Sequence, residues 1–111
     1  MRYLLNSAVI TSPGVYFYKH VSIDEAKAWY VEGSVLSTIG YEETAAVLSE
    51  ILGTAVKVNK IAIKMEVGDE ALVFRIVLPK GHARINAADK GQILKVLGDG
   101  FWELGLLKRL A

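Results

Sequence analysis

The chain has 111 residues, of which 52% are hydrophobic and 23% charged, enough apolar content for one packed domain, 1–111, with no room for a second core. Thirteen Lys and Arg against 12 Asp and Glu leave a formal charge of only +1, which argues against nonspecific duplex nucleic acid as a partner. The absence of cysteine excludes disulfides, thiolate catalysis and Cys-ligated zinc.

In chain order, Tyr3 to Ile10 is β-prone and apolar, predicting a buried strand interrupted by Asn6-Ser7. Thr11-Ser12-Pro13-Gly14 predicts a turn. Val15 to Val21 then alternates, with Tyr16, Tyr18 and His20 on one side of a second extended segment. Ser22-Ile23-Asp24-Glu25 has the form of a capping box, opening a helix to about Glu32. Its expected buried face is Ile23, Ala26, Trp29 and Tyr30, with Gly33 as its end. A second helix is expected from about Tyr41 to Leu52, stopped by Gly53. Val56 to Glu66 alternates again and predicts a half-buried strand with a basic outer face. Val67-Gly68-Asp69-Glu70 is expected to turn this strand into a central one over Ala71 to Leu78. Pro79-Lys80-Gly81-His82 breaks that run. Asn86 with Asp89 is expected to cap a third helix through Leu97, and Phe101 to Leu110 to return as a last strand. The order β-β-α-α-β-β-α-β implies an α/β domain, a single mixed β-sheet with helices packed on its faces.

Chemistry-bearing motifs are sparse. His20 and His82 fall in different segments without a companion at metal-ligand spacing, so no metal or other cofactor is expected. Ser7 lacks a nucleophile elbow, and neither a Walker nor a dinucleotide glycine loop occurs. Glu42-Glu43 and Asp24-Glu25 occupy first helical turns, where the helix dipole alone favours acids. Lys57, Lys60 and Lys64 flank one expected strand, and Arg75, Lys80, His82 and Arg84 follow the next. A hairpin through Gly68 would bring the two groups together near a sheet end; otherwise they form solvated, aggregation-resistant surface. Tyr16, Tyr18 and Trp29 are core residues or stacking platforms for bases. A polar pair in a buried strand, Asn6-Ser7, either braces a turn or faces a ligand pocket, because buried polar groups must be hydrogen-bonded. The opening Met1 to Leu5 is too short for a signal-peptide core and no run approaches a membrane span, so the expected location is the cytoplasm, with no membrane partner.

The most telling stretch is Ser37-Thr38-Ile39-Gly40-Tyr41-Glu42-Glu43-Thr44, a glycine-bearing turn running into an amphipathic helix. Such a junction presents backbone N–H groups and the positive end of a helix dipole. Taken in order with Tyr3-Leu4-Leu5-Asn6-Ser7-Ala8, Leu52-Gly53-Thr54, Asn59 to Met65, Gly68-Asp69-Glu70-Ala71-Leu72 and Glu103-Leu104-Gly105-Leu106-Leu107, it resembles the type III anti-CRISPR ring nucleases of archaeal viruses, phages and bacterial mobile elements. The resemblance spans nearly the whole chain. It implies a homodimer that binds a cyclic oligonucleotide second messenger, cyclic tetra-adenylate, across its interface and linearises it without metal. In that chemistry a ribose 2′-hydroxyl attacks the adjacent phosphate, and a histidine after Ile-Gly protonates the departing 5′-oxygen.

Carried over by position, that histidine is Tyr41 here, the main departure. The family's Asn in the first strand matches Asn6, and Ser7 and Gly40 are expected to line the ligand with it. Asn59-Lys60 stands where the family has Asn-Arg, keeping the charge but losing the bidentate fork. The family's arginine-bearing segment after the next strand is shortened to Leu78-Pro79-Lys80-Gly81, leaving Lys80 or Arg84 as substitutes. Acid–base assistance is worth roughly 10²–10⁴-fold, and a phenol is a poorer acid than imidazolium. Binding is therefore expected to survive better than cleavage. A pocket retuned for another signalling nucleotide, and a module that binds a host protein through its aromatic face, are the alternatives.

Overall fold

The computed structural model of the protein describes residues 1–7, 12–86 and 89–111. Its elements are β1 (Arg2–Asn6), β2 (Tyr16–Val21), α1 (Ile23–Val31), β3 (Leu36–Ser37), α2 (Glu42–Leu52), β4 (Glu70–Ile76), α3 (Lys90–Gly98) and β5 (Trp102–Arg109). The strands form one sheet in the order β2-β5-β4-β1-β3. β1 is parallel to both β3 and β4, whereas β5 is antiparallel to β4 and to β2. This is the mixed α/β sheet expected from the sequence. The expected strand through Ile10 and turn from Thr11 lie partly outside the described residues.

Side-chain alternation assigns the two faces. Leu4, Leu72, Phe74 and Leu104 point to the face where Ala26 and Trp29 of α1 and Ala45, Leu48 and Leu52 of α2 pack, with Leu97 of α3 against them. Tyr3, Leu5, Ala71, Val73 and Leu107 point to the opposite face, where Met65 and Ile63 cover them. Burying both faces explains why β4 reads as a continuous apolar run.

The capping box forms as expected: Ser22 Oγ accepts from Glu25 N–H at 3.1 Å and Ser22 N–H donates to Glu25 Oε1 at 3.2 Å. Ile23 nonetheless stays 40% exposed, so the buried stripe of α1 narrows to Ala26 and Trp29. Gly53 ends α2 in the left-handed conformation, φ 70°. The third helix departs from expectation. Its N-cap is Asp89, whose carboxylate accepts from Gln92 N–H, while Asn86 N–H donates to Gln92 Oε1 from outside the helix.

The predicted strand over Val56 to Glu66 does not form, and with it goes the hairpin through Gly68. The segment instead wraps around the β3 edge, from Val56 in the helix-side cluster to Met65 in the other. Its polar bonds come largely from side chains. Ser49 Oγ takes Val56 N–H, Ser37 Oγ donates to the Lys57 carbonyl, Asp69 takes Glu66 N–H, and Arg109 donates to the Met65 carbonyl. Only the end of the alternation becomes a buried side, with Met65 buried and Ile63 half-buried while Ile61 is 43% exposed, because no neighbouring strand holds the segment in register. The two-residue β3 gave no such pattern at all.

Candidate functional site

Because β1, β3 and β4 run in one direction, their carboxyl ends share one sheet edge, the usual place for ligands in open α/β sheets. Asn6 and Ser7 leave β1 there, Thr38 to Tyr41 leave β3, and the chain toward Lys80 leaves β4. Thr38 fixes the register: its N–H and Oγ1 both donate to the Leu4 carbonyl, at 3.0 and 2.9 Å.

Asn6 alternates with Leu4 and so faces the helix side, where α2 begins. Ser7 carries the only positive φ among the described non-glycine residues, 110°, and its N–H donates to the Phe74 carbonyl at 2.9 Å. An L-residue held in that region is strained by about 1–3 kcal/mol, and such strain concentrates at functional sites. Gly40 lies under the stem of Lys60: a Cβ there would sit 3.2 Å from Lys60 Cγ, so glycine lets the lysine cross the turn closely. Asn59 anchors that lysine by donating to the Ile39 carbonyl through its N–H and to the Ser37 carbonyl through Nδ2.

Tyr41 is the N-cap of α2, with extended backbone (φ −123°, ψ 133°), and its side chain makes no capping hydrogen bond. It is 43% exposed. The first turn of α2 thus opens without an oxygen from its cap residue, beside Gly40 and Lys60. Glu42 and Glu43 in the same turn oppose an incoming anion, which sets Lys60 against two carboxylates.

The structure brings Asn6, Ser7, Gly40, Tyr41 and Lys60 to one edge; it does not gather all the predicted basic residues. Lys80 is exposed in the turn after β4. Arg84 lines a separate cleft of about 280 Å³ against α3, with His82 and Lys95. Arg75, expected near Lys60, instead donates at 3.0 Å to Glu103, its partner in register on the adjacent strand β5.

That last contact belongs to a cluster invisible in the sequence. Glu103 also accepts from Tyr18 Oη at 3.2 Å and lies 2.8 Å from His20 Nε2. Burial and the Glu103 charge push the Tyr18 phenol up, so it stays a donor. The four residues span β2, β5 and β4, and only the pairing of strands distant in sequence aligns them. Among the described residues no three His, Asp or Glu side chains gather to hold a metal ion. Among the described residues no helix is long and apolar enough to cross a membrane.

A small mixed α/β sheet with a helix opening at its carboxyl edge is the class that this geometry defines, and comparison with known proteins places the chain within it. The chain belongs to the STIV B116-like family, which matches residues 2–94. It is 34% identical over 74 residues to the uncharacterized protein YddF of Bacillus subtilis, covering 65% of this chain and 68% of that protein. It is 36% identical over 76 residues to uncharacterized protein 26 of Sulfolobus islandicus filamentous virus, covering 65% of this chain and 64% of that one. Among solved structures, B116 of Sulfolobus turreted icosahedral virus superposes with a TM-score of 0.72 at 18% identity, over 97% of this chain and 98% of that one. At that identity the likeness is one of fold. The family is thus one of small proteins with members in archaeal viruses.

Proposed function

We propose that this protein binds a cyclic oligoadenylate, cyclic tetra-adenylate first among them, between two copies of itself, and dampens type III CRISPR signalling by sequestering or slowly opening the ring. The observation that carries this reading is the opening of α2: an N-cap residue, Tyr41, that is exposed and whose own side chain makes no capping bond, with Lys60 crossing Gly40 beside it. Backbone amides and a helix dipole favour a phosphate in that position, and the lysine adds a point charge. A strained Ser7 next to Asn6 on the same edge supports the assignment. So does membership of a family with archaeal viral members, since a virus profits from removing a host alarm signal.

For cleavage, the ribose 2′-oxygen attacks the neighbouring phosphorus, the P–O5′ bond breaks, and the Tyr41 phenol gives its proton to O5′. The 2′-hydroxyl proton leaves to water, and the products are a 2′,3′-cyclic phosphate and a 5′-hydroxyl. Alignment and phosphate stabilisation by the α2 amides and Lys60 carry most of the rate. Proton donation by a phenol is weaker than by imidazolium, so turnover is slow and retention of the ring dominates.

The test is incubation with cyclic tetra-adenylate in EDTA, with products resolved by chromatography and bound ring by gel shift, alongside sedimentation to determine whether the protein is a dimer. Product formation lost in Tyr41→Phe supports slow cleavage. A shift without product supports sequestration. Neither shift nor product at micromolar protein refutes the proposal.

A further inference from the structure

Below the Tyr41 edge, the outer side of β3 borders a cleft of about 420 Å³ between the end of α1 and residues 55–59, within the size range of small-molecule sites. We propose that this cleft binds a purine nucleoside 5′-monophosphate, independently of the Tyr41 edge.

The recognition surface is the strand edge itself. Leu36 is in register with Tyr3, and Thr38 N–H donates to the Leu4 carbonyl, so the peptide groups of those residues face β1. The peptides of the described residues are trans, and successive peptide groups in a strand point to opposite sides. The Val35 carbonyl and the Ser37 N–H therefore point outward, and both residues line the cleft. A carbonyl and an N–H two residues apart on an open edge match a base that offers an amino donor beside a ring-nitrogen acceptor, as adenine does.

The walls fit the rest of such a ligand. Tyr30 and Val58 flank the opening and supply aromatic and apolar surface for the base. Lys57 brings an exposed ammonium group to the same cleft, suited to a phosphate. The wall opposite β3 is pinned: Ser37 Oγ donates to the Lys57 carbonyl at 2.7 Å and Asn59 Nδ2 to the Ser37 carbonyl at 2.9 Å. These side-chain bridges hold residues 57–59 beside β3 without pairing them to it as a strand, so Val35 and the buried Ser37 border the cleft directly. Since 57–60 runs alongside 37–40, Lys57 lines this cleft while Lys60 crosses Gly40 farther along, so the cleft and the Tyr41 edge are neighbouring sites.

The experiment is a titration of the ¹⁵N-labelled protein with AMP, repeated with adenosine, UMP and ribose 5-phosphate, and with the variants Lys57→Ala, Val58→Trp and Tyr41→Ala. Saturable shifts at the Val35, Ser37 and Val58 amides are expected. Lys57→Ala and removal of the phosphate should each weaken binding about tenfold or more, and UMP and ribose 5-phosphate should bind more weakly than AMP. Val58→Trp, at an exposed position, should occlude the cleft, and its thermal unfolding shows whether the fold is kept. Tyr41→Ala should change nothing. Absence of saturation at millimolar AMP, shifts centred on Tyr41, binding lost in Tyr41→Ala, or binding retained in folded Val58→Trp would each overturn the proposal.

Discussion

If the opening of α2 is free to take a phosphate, supplying a cap from within the chain should stabilise the helix. Tyr41 is the position to use, since its backbone already has the extended conformation of an N-cap while its side chain bonds nothing there. Comparing Tyr41→Ser with Tyr41→Ala removes the same ring in both variants, so the difference isolates the hydroxyl. A serine cap over alanine is worth about 1 kcal/mol, within a range of roughly 0.5–2. For a chain of 111 residues that is a Tm difference of about 4 °C. Thermal and urea unfolding of the pair would measure it, with cyclic tetra-adenylate binding followed in parallel. Serine should be the more stable variant and should bind the ring no better than alanine, because its own oxygen occupies the amides. Equal stability within a few tenths of a kcal/mol would mean that the first-turn amides are already satisfied inside the fold. The reasoning behind the phosphate site would then fail.

Lys60→Ala should weaken ring binding and flatten its salt dependence, whereas Glu42→Gln should tighten it by lifting a like charge from the helix opening; gel shifts at two salt concentrations read both. Gly105→Ala should cost about 1–3 kcal/mol, because a Cβ there would lie 2.3 Å from the Tyr18 ring and force it off its bond to Glu103; chemical denaturation measures the loss. Asp69 is held below the usual carboxylate range. Burial works against its charge, but the Glu66 N–H, the Met1 ammonium group and Arg109 outweigh it. Its stabilisation is therefore present above the unfolded carboxylate value, near ~4, and is lost as pH falls through the lower folded value. Asp69→Asn should be less stable than the parent at pH 7 by about 1.5–3 kcal/mol, a gap that closes in acid unfolding below that range.

Local chemistry wrote much of this fold into the sequence. The Ser22–Glu25 capping box and the Gly53 stop need only neighbours in the chain to act, so each formed where the residues indicated, and the apolar run of β4 marked a strand buried on both faces. The junction at Gly40-Tyr41 was legible for the same reason: a turn glycine followed by a helical period marks a helix opening wherever it sits. Pairing was not legible. Residues 56–66 carry a strand's alternation, yet Ser37, Ser49, Asp69 and Arg109 claim their polar groups from afar and bend the segment around the sheet edge. The same choice of partners sent Arg75 to Glu103 instead of Lys60 and opened the cleft beside β3. Propensity and capping act over a few residues and are fixed by sequence; which strands meet depends on burying both faces of one sheet at once, and only the folded chain decides that.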